Sequence, residues 1–281
     1  VTPRRVDPAA EPATLDAMDV VMQQAYGASS FRTSIDRFVA VQPDGLFVVE
    51  EDDRVVGTGC CIAYVEGGFG WIGLVATAPT HQRRGIATTI TEHLSGVLAE
   101  HGCASVLDAS AAGAPVYERM GFDDHGLTTV MGLEGEAREF LGSNESTIAT
   151  TADLDDIVEF DAVRFGSPRP GLLAALMGQN PGRVLILRRG AIVGYAVGQD
   201  RTLGPVVADD PDALAELVVD SLHLSWVDLP RINVPPESAH LDTLRSLGFE
   251  TRRELRHMRR GIADLPGRRS SIAAQASLGE G

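Results

Sequence analysis

Apolar side chains at Leu15, Met18, Val21, Met22 and Ala25 recur at steps of three and four residues. That spacing predicts an amphipathic helix over 14–25, and a second helix is expected over 30–41. The period then shortens. Residues 46–50, the polar turn Glu51-Asp-Asp-Arg54 and residues 55–65 read as a hairpin, and a third strand over 69–77 follows the turn at Gly67-Gly68. A helical pattern returns over 84–100. A short buried strand is expected over 103–108, a helix over 114–120 closed by Gly121, and a strand over 127–133.

The polar stretch 134–146 reads as a linker, and after it the order repeats. Helices are expected over 152–165 and 171–177, and a hairpin over 184–188 and 191–198. A strand over 203–208, a helix over 212–226, a strand over 232–234, a helix over 238–247 and a strand over 255–259 complete the series. Arg54-Val-Val-Gly57 echoes Ala191-Ile-Val-Gly194, and Met120-Gly-Phe122 echoes Leu247-Gly-Phe249. The chain therefore reads as a duplicated α/β unit, 1–134 and 147–261. A Gly-, Ser- and Ala-rich tail, 262–281, either moves freely or lies against one unit.

Composition changes this picture little. The 281 residues suit two domains, and 44% hydrophobic with 22% charged residues excludes a disordered chain. No apolar run approaches the ~18 residues of a membrane helix, and the N-terminal stretch lacks the apolar core of a secretory signal. Three cysteines are too few for a disulfide framework or a metal knuckle, so no metal is expected and a cytoplasmic location is. Cys60 and Cys61 alternate across a strand and cannot share a ligand.

Charge says more. All 24 basic residues are Arg, the codon bias of a GC-rich bacterial genome, and 39 acidic residues leave a net charge of −15. Such a chain repels nucleic acid and anionic membrane, so neither is an expected partner. An anionic ligand would need a local exception, whereas a cationic amine would be attracted.

The segment Leu74-Val-Ala-Thr-Ala-Pro-Thr-His-Gln-Arg-Arg-Gly-Ile-Ala-Thr88 offers that exception. A strand ends at Thr77 and a helix starts within Gln82-Arg-Arg-Gly-Ile-Ala87. The free N–H groups of a helix start, together with its dipole, favour an anion. Gly85 permits close approach, Ala87 keeps the surface low, and Arg83 and Arg84 add positive charge. The string is neither a Walker loop nor a dinucleotide fingerprint, and it suits a diphosphate.

Gln82-Arg83-Arg84-Gly85-Ile86-Ala87 resembles the Gln/Arg-x-x-Gly-x-Gly/Ala signature of the GCN5-related N-acetyltransferase (GNAT) family. Tyr117-Glu-Arg-Met-Gly-Phe122 is similar to that family's Tyr-x-x-x-Gly-Phe. The resemblance implies two tandem domains, each a mixed, mostly antiparallel sheet flanked by helices. It implies acetyl-CoA as co-substrate. Val75, Ala76 and Thr77 would pair with its pantetheine arm and help polarise the thioester, and the amides of Arg83, Arg84, Gly85, Ile86, Ala87 and Thr88 would hold its pyrophosphate. Tyr117 would be the general acid for the leaving thiolate, a sensible match for a group of pKa ~10. Ser110 or Asp108 stands where many relatives carry Asn. Trp71 occupies the position of the base carboxylate of protein-acetylating relatives, leaving Glu66 or a water chain as the base.

In the second half, Asp209-Asp-Pro-Asp212 replaces the amide cradle and Leu244 stands in the helix corresponding to that of Tyr117. That half is expected to bind no CoA and to complete the acceptor cleft or a homodimer surface. The expected activity is acetyl transfer to the primary amine of a small molecule. The alternative is a CoA-binding sensor without turnover.

Overall fold

The computed structural model describes residues 2–27, 30–133 and 145–281, so the expected linker lies almost wholly outside the described residues. The first half runs β1 (Arg4–Arg5), α1 (Pro12–Tyr26), α2 (Arg32–Val41), β2 (Leu46–Glu51), β3 (Arg54–Tyr64), β4 (Phe69–Thr77), α3 (Ile86–Glu100), β5 (Ala104–Ala109), α4 (Ala114–Arg119) and β6 (Asp123–Leu133). The second runs β7 (Thr147–Ile148), α5 (Leu154–Phe165), α6 (Pro170–Gln179), β8 (Val184–Arg189), β9 (Ala191–Gly198), β10 (Leu203–Ala208), α7 (Pro211–Leu222), β11 (Arg231–Val234), α8 (Leu241–Ser246), β12 (Phe249–Arg260) and β13 (Ile272–Ala274).

The chain forms two compact units, but not by a single cut. The first unit takes the residues up to Asp124, then Met258–Ala263 and Glu280; the second takes His125–His257, Asp264–Gly279 and Gly281. The end of β12 therefore returns to the first unit, which the expected boundaries at 134 and 147 did not foresee. Arg260 pins this return. Its guanidinium lies 3.0 Å from Glu92 and 3.1 Å from the Met120 carbonyl, and stands over the Phe122 ring.

In the first unit β1 to β4 pair antiparallel in sequence order, and β5 joins β4 in parallel. One face packs on α3 and α4 through Val49, Val56, Ile72, Ile86, Ile90, Leu94, Leu98, Leu107 and Phe122. Val21 and Met22 of α1 meet Ala76 in a smaller cluster. Glycines on β3 let α3 ride close to the sheet. A Cβ at Gly59 would collide with Ile90 Cγ2, and one at Gly57 would stand 2.5 Å from Ile86 Cγ2. This contact fixes the start of α3 against the end of β4.

The second unit has the antiparallel five-stranded order β13-β10-β9-β8-β7, while β6 pairs with β11. Its core joins Leu185, Leu187, Val206, Leu214, Leu217, Ile232, Leu244, Phe249 and Ala274. The helix expected over 212–226 stops at Leu222, where Trp226 Nε1 donates to the Ser221 carbonyl at 3.0 Å and folds the chain back. The strand expected over 255–259 starts six residues earlier, at Phe249, because exposed charged residues over 250–254 conceal its period.

The tail is packed along much of its length. Residues 272–276 are buried, with Ile272–Ala274 forming β13. Glu280, in the first unit, makes a 2.6 Å ion pair with Arg37 of α2. Tyr64 Oη donates to the Glu280 carbonyl. The three cysteines are free and buried, and burial raises their thiol pKa values, so they pack as small apolar groups.

Removing one partner of a buried ion pair strands the other. With Arg37 at 2% and Glu280 at 0% exposure, Glu280→Gln is expected to cost about 3–5 kcal/mol in urea unfolding, and Arg37→Met added to it should restore most of that. An unchanged midpoint for the single variant would show that the pair does not bear on stability.

Candidate active site

The site begins with a defect in β4. Its parallel pairing with β5 is confined to Phe69↔Ala104, Gly70↔Ser105 and Trp71↔Val106. On the other edge, Thr58 faces Ala76 but Cys60 faces Gly73, so β4 carries an extra residue opposite Gly59. Leu74 sits at φ +52, a left-handed conformation uncommon for a side chain of its size. A bulge of this kind bends a strand, and here it accompanies the parting of β4 from β5.

Beyond Trp71 one edge of β4 faces this split. Ala78 N–H donates to the Val56 carbonyl at 2.9 Å, so by alternation Val75 and Thr77 present their backbone groups to the split. Tyr26 Oη, from the end of α1, donates to Val75 O at 2.6 Å, and Gln82 Nε2 lies 3.5 Å from Thr77 O. Nothing in the residue pattern marks Tyr26, since it closes an amphipathic helix and carries no motif.

The chain then passes through a 3₁₀ turn, Pro79–His81, into the expected cradle. Arg83 at φ +61 and Gly85 at φ +82 flank Arg84, and α3 starts at Ile86. The first helical acceptor is the Gly85 carbonyl, bonded by Thr89 N–H at 2.9 Å. Among the described residues no group accepts from the amides of Arg83 through Thr88, so they remain available. Space above Gly85 is open: a Cβ placed there would meet nothing within 4 Å. The arrangement can hold an anion through backbone donors.

One expected contributor is engaged elsewhere. Arg84 is held by both Glu51 oxygens at 2.6 and 2.9 Å, and His81 Nε2 approaches the same carboxylate at 3.1 Å. Arg84 thus brings little net charge to the cradle. The hydrogen bond from Arg84 is the main cause lowering the Glu51 pKa. The turn reading of Glu51 concealed this role, because the partner lies 33 residues away.

Tyr117 stands on α4, and its motif has a local explanation. Phe122 N–H returns to the Tyr117 carbonyl at 3.1 Å through Gly121 at φ +81, and the two rings meet edge to face at 5.9 Å. Burial, above all, pushes the phenol pKa up to about 12; Tyr26 adds to the shift and the Thr91 hydroxyl opposes it. Ser110 accepts from Gly113 N–H at 3.2 Å and shapes the turn that presents α4.

Glu66 does not join this group. It is exposed in the 3₁₀ turn Val65–Gly67 before β4, at the opposite end of that strand from Thr77. Eight rises of ~3.3 Å along its nine residues separate the two ends by roughly 25 Å. Trp71 is fully buried in the sheet rather than lining the split. Asp108 lies on the part of β5 beyond the last β4 pair, between Leu107 and Ala109 of the α3-side core, and so belongs to the opposite face.

In the second unit the corresponding helix start is closed. Asp210 accepts from Ala213 N–H at 2.7 Å, Pro211 lacks an N–H, and Asp209 is held by Arg164 at 2.5–2.9 Å.

A strand that parts from its parallel neighbour and leads into a helix start with unbonded amides gathers backbone donors at one end of the sheet, where an anion could be held. Comparison with known proteins gives this arrangement its family. Profiles described as Acetyltransferase (GNAT) family and Acetyltransferase (GNAT) domain match residues 14–122 and 157–274. The chain belongs to the GNAT family and carries two of its domains in tandem. No curated protein matches its sequence. Among solved structures, a presumptive acetyltransferase from Pyrococcus horikoshii is similar at 22% identity and TM-score 0.84, over 99% of this chain and 95% of that one. A GCN5-related N-acetyltransferase from Sphaerobacter thermophilus shares 15% identity at TM-score 0.65, over 94% and 98%. A tandem GNAT protein of the clavulanic acid biosynthesis pathway shares 15% at 0.61, over 93% and 99%. At such identities the likeness concerns the fold.

Gly85 at φ +82 is left-handed, so Gly85→Ala is strained even though its surroundings are open. It should lower stability by about 1–2 kcal/mol in a denaturant melt. An unchanged midpoint would mean that the cradle turn does not need this conformation.

Proposed function

We propose that the first unit is an N-acetyltransferase that uses acetyl-CoA to acetylate the primary amine of a small molecule. The observation that carries the reading is the conjunction of amides Arg83–Thr88 without protein acceptors among the described residues and the β4 edge at Val75 and Thr77, which lacks a partner strand although its carbonyls accept from Tyr26 and Gln82. Both features fit the coenzyme: bare amides suit its pyrophosphate, and a free strand edge suits its pantetheine amides. The bound coenzyme would supply a thioester, an acetyl group activated for attack.

The residues divide the remaining work. Backbone N–H on the β4 edge near Val75 stabilises charge developing on the carbonyl oxygen. Tyr117, its phenol kept protonated by burial, gives its proton to the departing sulfur as the carbon–sulfur bond breaks and the carbon–nitrogen bond forms. The amine proton passes to solvent water, since Glu66 stands at the wrong end of β4. Placing both reactants in one split supplies much of the rate. The net charge of −15 favours a cationic acceptor.

The test is thiol release from acetyl-CoA across a panel of polyamines, amino sugars and amino acids, paired with calorimetry. Turnover with at least one amine is expected. Coenzyme binding with no turnover, unchanged by Tyr117→Phe, would make the protein a sensor, and no binding would remove the reading altogether. Tyr117→Phe should lower kcat by about 10²–10⁴-fold with little change in coenzyme affinity.

The pH dependence has a definite sign. A phenol raised from 10 to about 12 remains protonated across the range in which an exposed tyrosine ionises, so the acid form persists. No descending limb of kcat is expected below pH 10. A fall there with an apparent pKa near 10 would show that burial does not hold the donor's proton beyond the range of an exposed tyrosine.

A further inference from the structure

The second unit contains the same kind of split, and it is full. β10 and the strand beside it, β11, meet only at their base, through a parallel bridge Thr202↔Arg231 and the bond from Arg231 N–H to Arg201 O at 2.9 Å. Beyond that point they part, as β4 and β5 do after Trp71. Between them lies β13. It pairs antiparallel with β10 through Val206↔Ala274 and Val207↔Ile272, and Gln275 N–H donates to Asn233 O of β11 at 2.9 Å.

The cleft is shaped for this segment. Residues Ile272, Ala273, Ala274, Gln275 and Ala276 are 0–1% exposed, and three of the five are alanine. Gly204 leaves room for the backbone: a Cβ there would collide with Gln275 O. Gln199 Nε2 bridges Gly204 O at 2.7 Å and Ala276 O at 2.8 Å, binding the strand to the tail with one amide.

We infer that the second unit has turned a coenzyme cleft into a groove for an extended polypeptide strand, whose occupant is the chain's own segment 272–276. Backbone hydrogen bonds on both sides, small side chains and the Gln199 clamp are the recognition elements of strand addition. The occupant takes the place along β10 that a coenzyme arm would take along β4, a comparison that rests on the reading of the first unit. The chain then binds one coenzyme, not two.

Amide hydrogen exchange on the full chain tests this. The amides of 272–276 should exchange at least 100-fold more slowly than those of Asp264, Leu265 and Gly267. Gly204→Ala and Ala274→Asp should each bring them to loop rates while α3 stays protected. Calorimetry should find one acetyl-CoA per chain in the native protein, lost on Arg83→Glu combined with Gly85→Glu. Loop-rate exchange of 272–276 in the native chain, or two coenzymes per chain, would overturn the inference. Should either variant fail to fold, the native exchange rates and the coenzyme count still decide. A protected tail in a chain that binds no coenzyme would uphold the groove and remove the proposal for the first unit instead.

Discussion

The parting of β4 from β5 after Trp71 is the constraint on which the site depends. A sheet closed along its full length would consume every backbone donor and acceptor of its inner strands. Here an extra residue opposite Gly59 and a left-handed Leu74 bend β4 out of register with its parallel neighbour, and one edge is left to face the split. The strain of the bulge is supported from both faces, by Ile90 and Leu94 of α3 beneath and by α1 above. Because α3 is pressed against glycines 57 and 59, the end of β4 and the start of the helix hold a fixed relation. The bare amides and the open edge then act as one surface.

The two units put the same architecture to contrary uses. In one, the helix after the split begins with glycine and free amides. In the other it begins with Asp210, which caps its own helix, and Pro211, which removes a donor. The split itself follows suit: one edge has no partner strand, the other is paired with β13. Each change alone would weaken a phosphate-bearing ligand's hold on the second unit. Together they fill both places with groups from the chain, which satisfies the backbone there.

Electrostatics at the first site is subtler than composition suggests. Two adjacent arginines in an acidic protein invite the view that both serve the cradle, yet Glu51 holds Arg84 bidentately and draws in His81 as well. An anion there would meet backbone donors and Arg83. Tyr117 shows the opposite economy: burial, above all, raises its pKa, and Tyr26 adds to the shift.

Much was legible from order and spacing. β4, β9, β10 and the C-terminal end of α3 fell where the pattern put them, because strand alternation and helical periodicity are local. The cradle and the Tyr117–Phe122 motif were readable because each is a short contiguous device, a helix start and a glycine-closed turn. Glu66 misled because proximity in sequence to β4 says nothing about which end of a strand is the useful one. Tyr26, Glu51 and Gln199 could not be found in advance, since their partners lie 49, 33 and 77 residues away. So too for the tail: a stretch of small residues gives no sign of its destination, and only when β10 and β11 part does a groove exist for it to fill. The sequence by itself determined the elements and the bare helix start. The tertiary structure decided which edge stays open and which is filled, because an edge becomes a site only when distant segments either reach it or leave it alone.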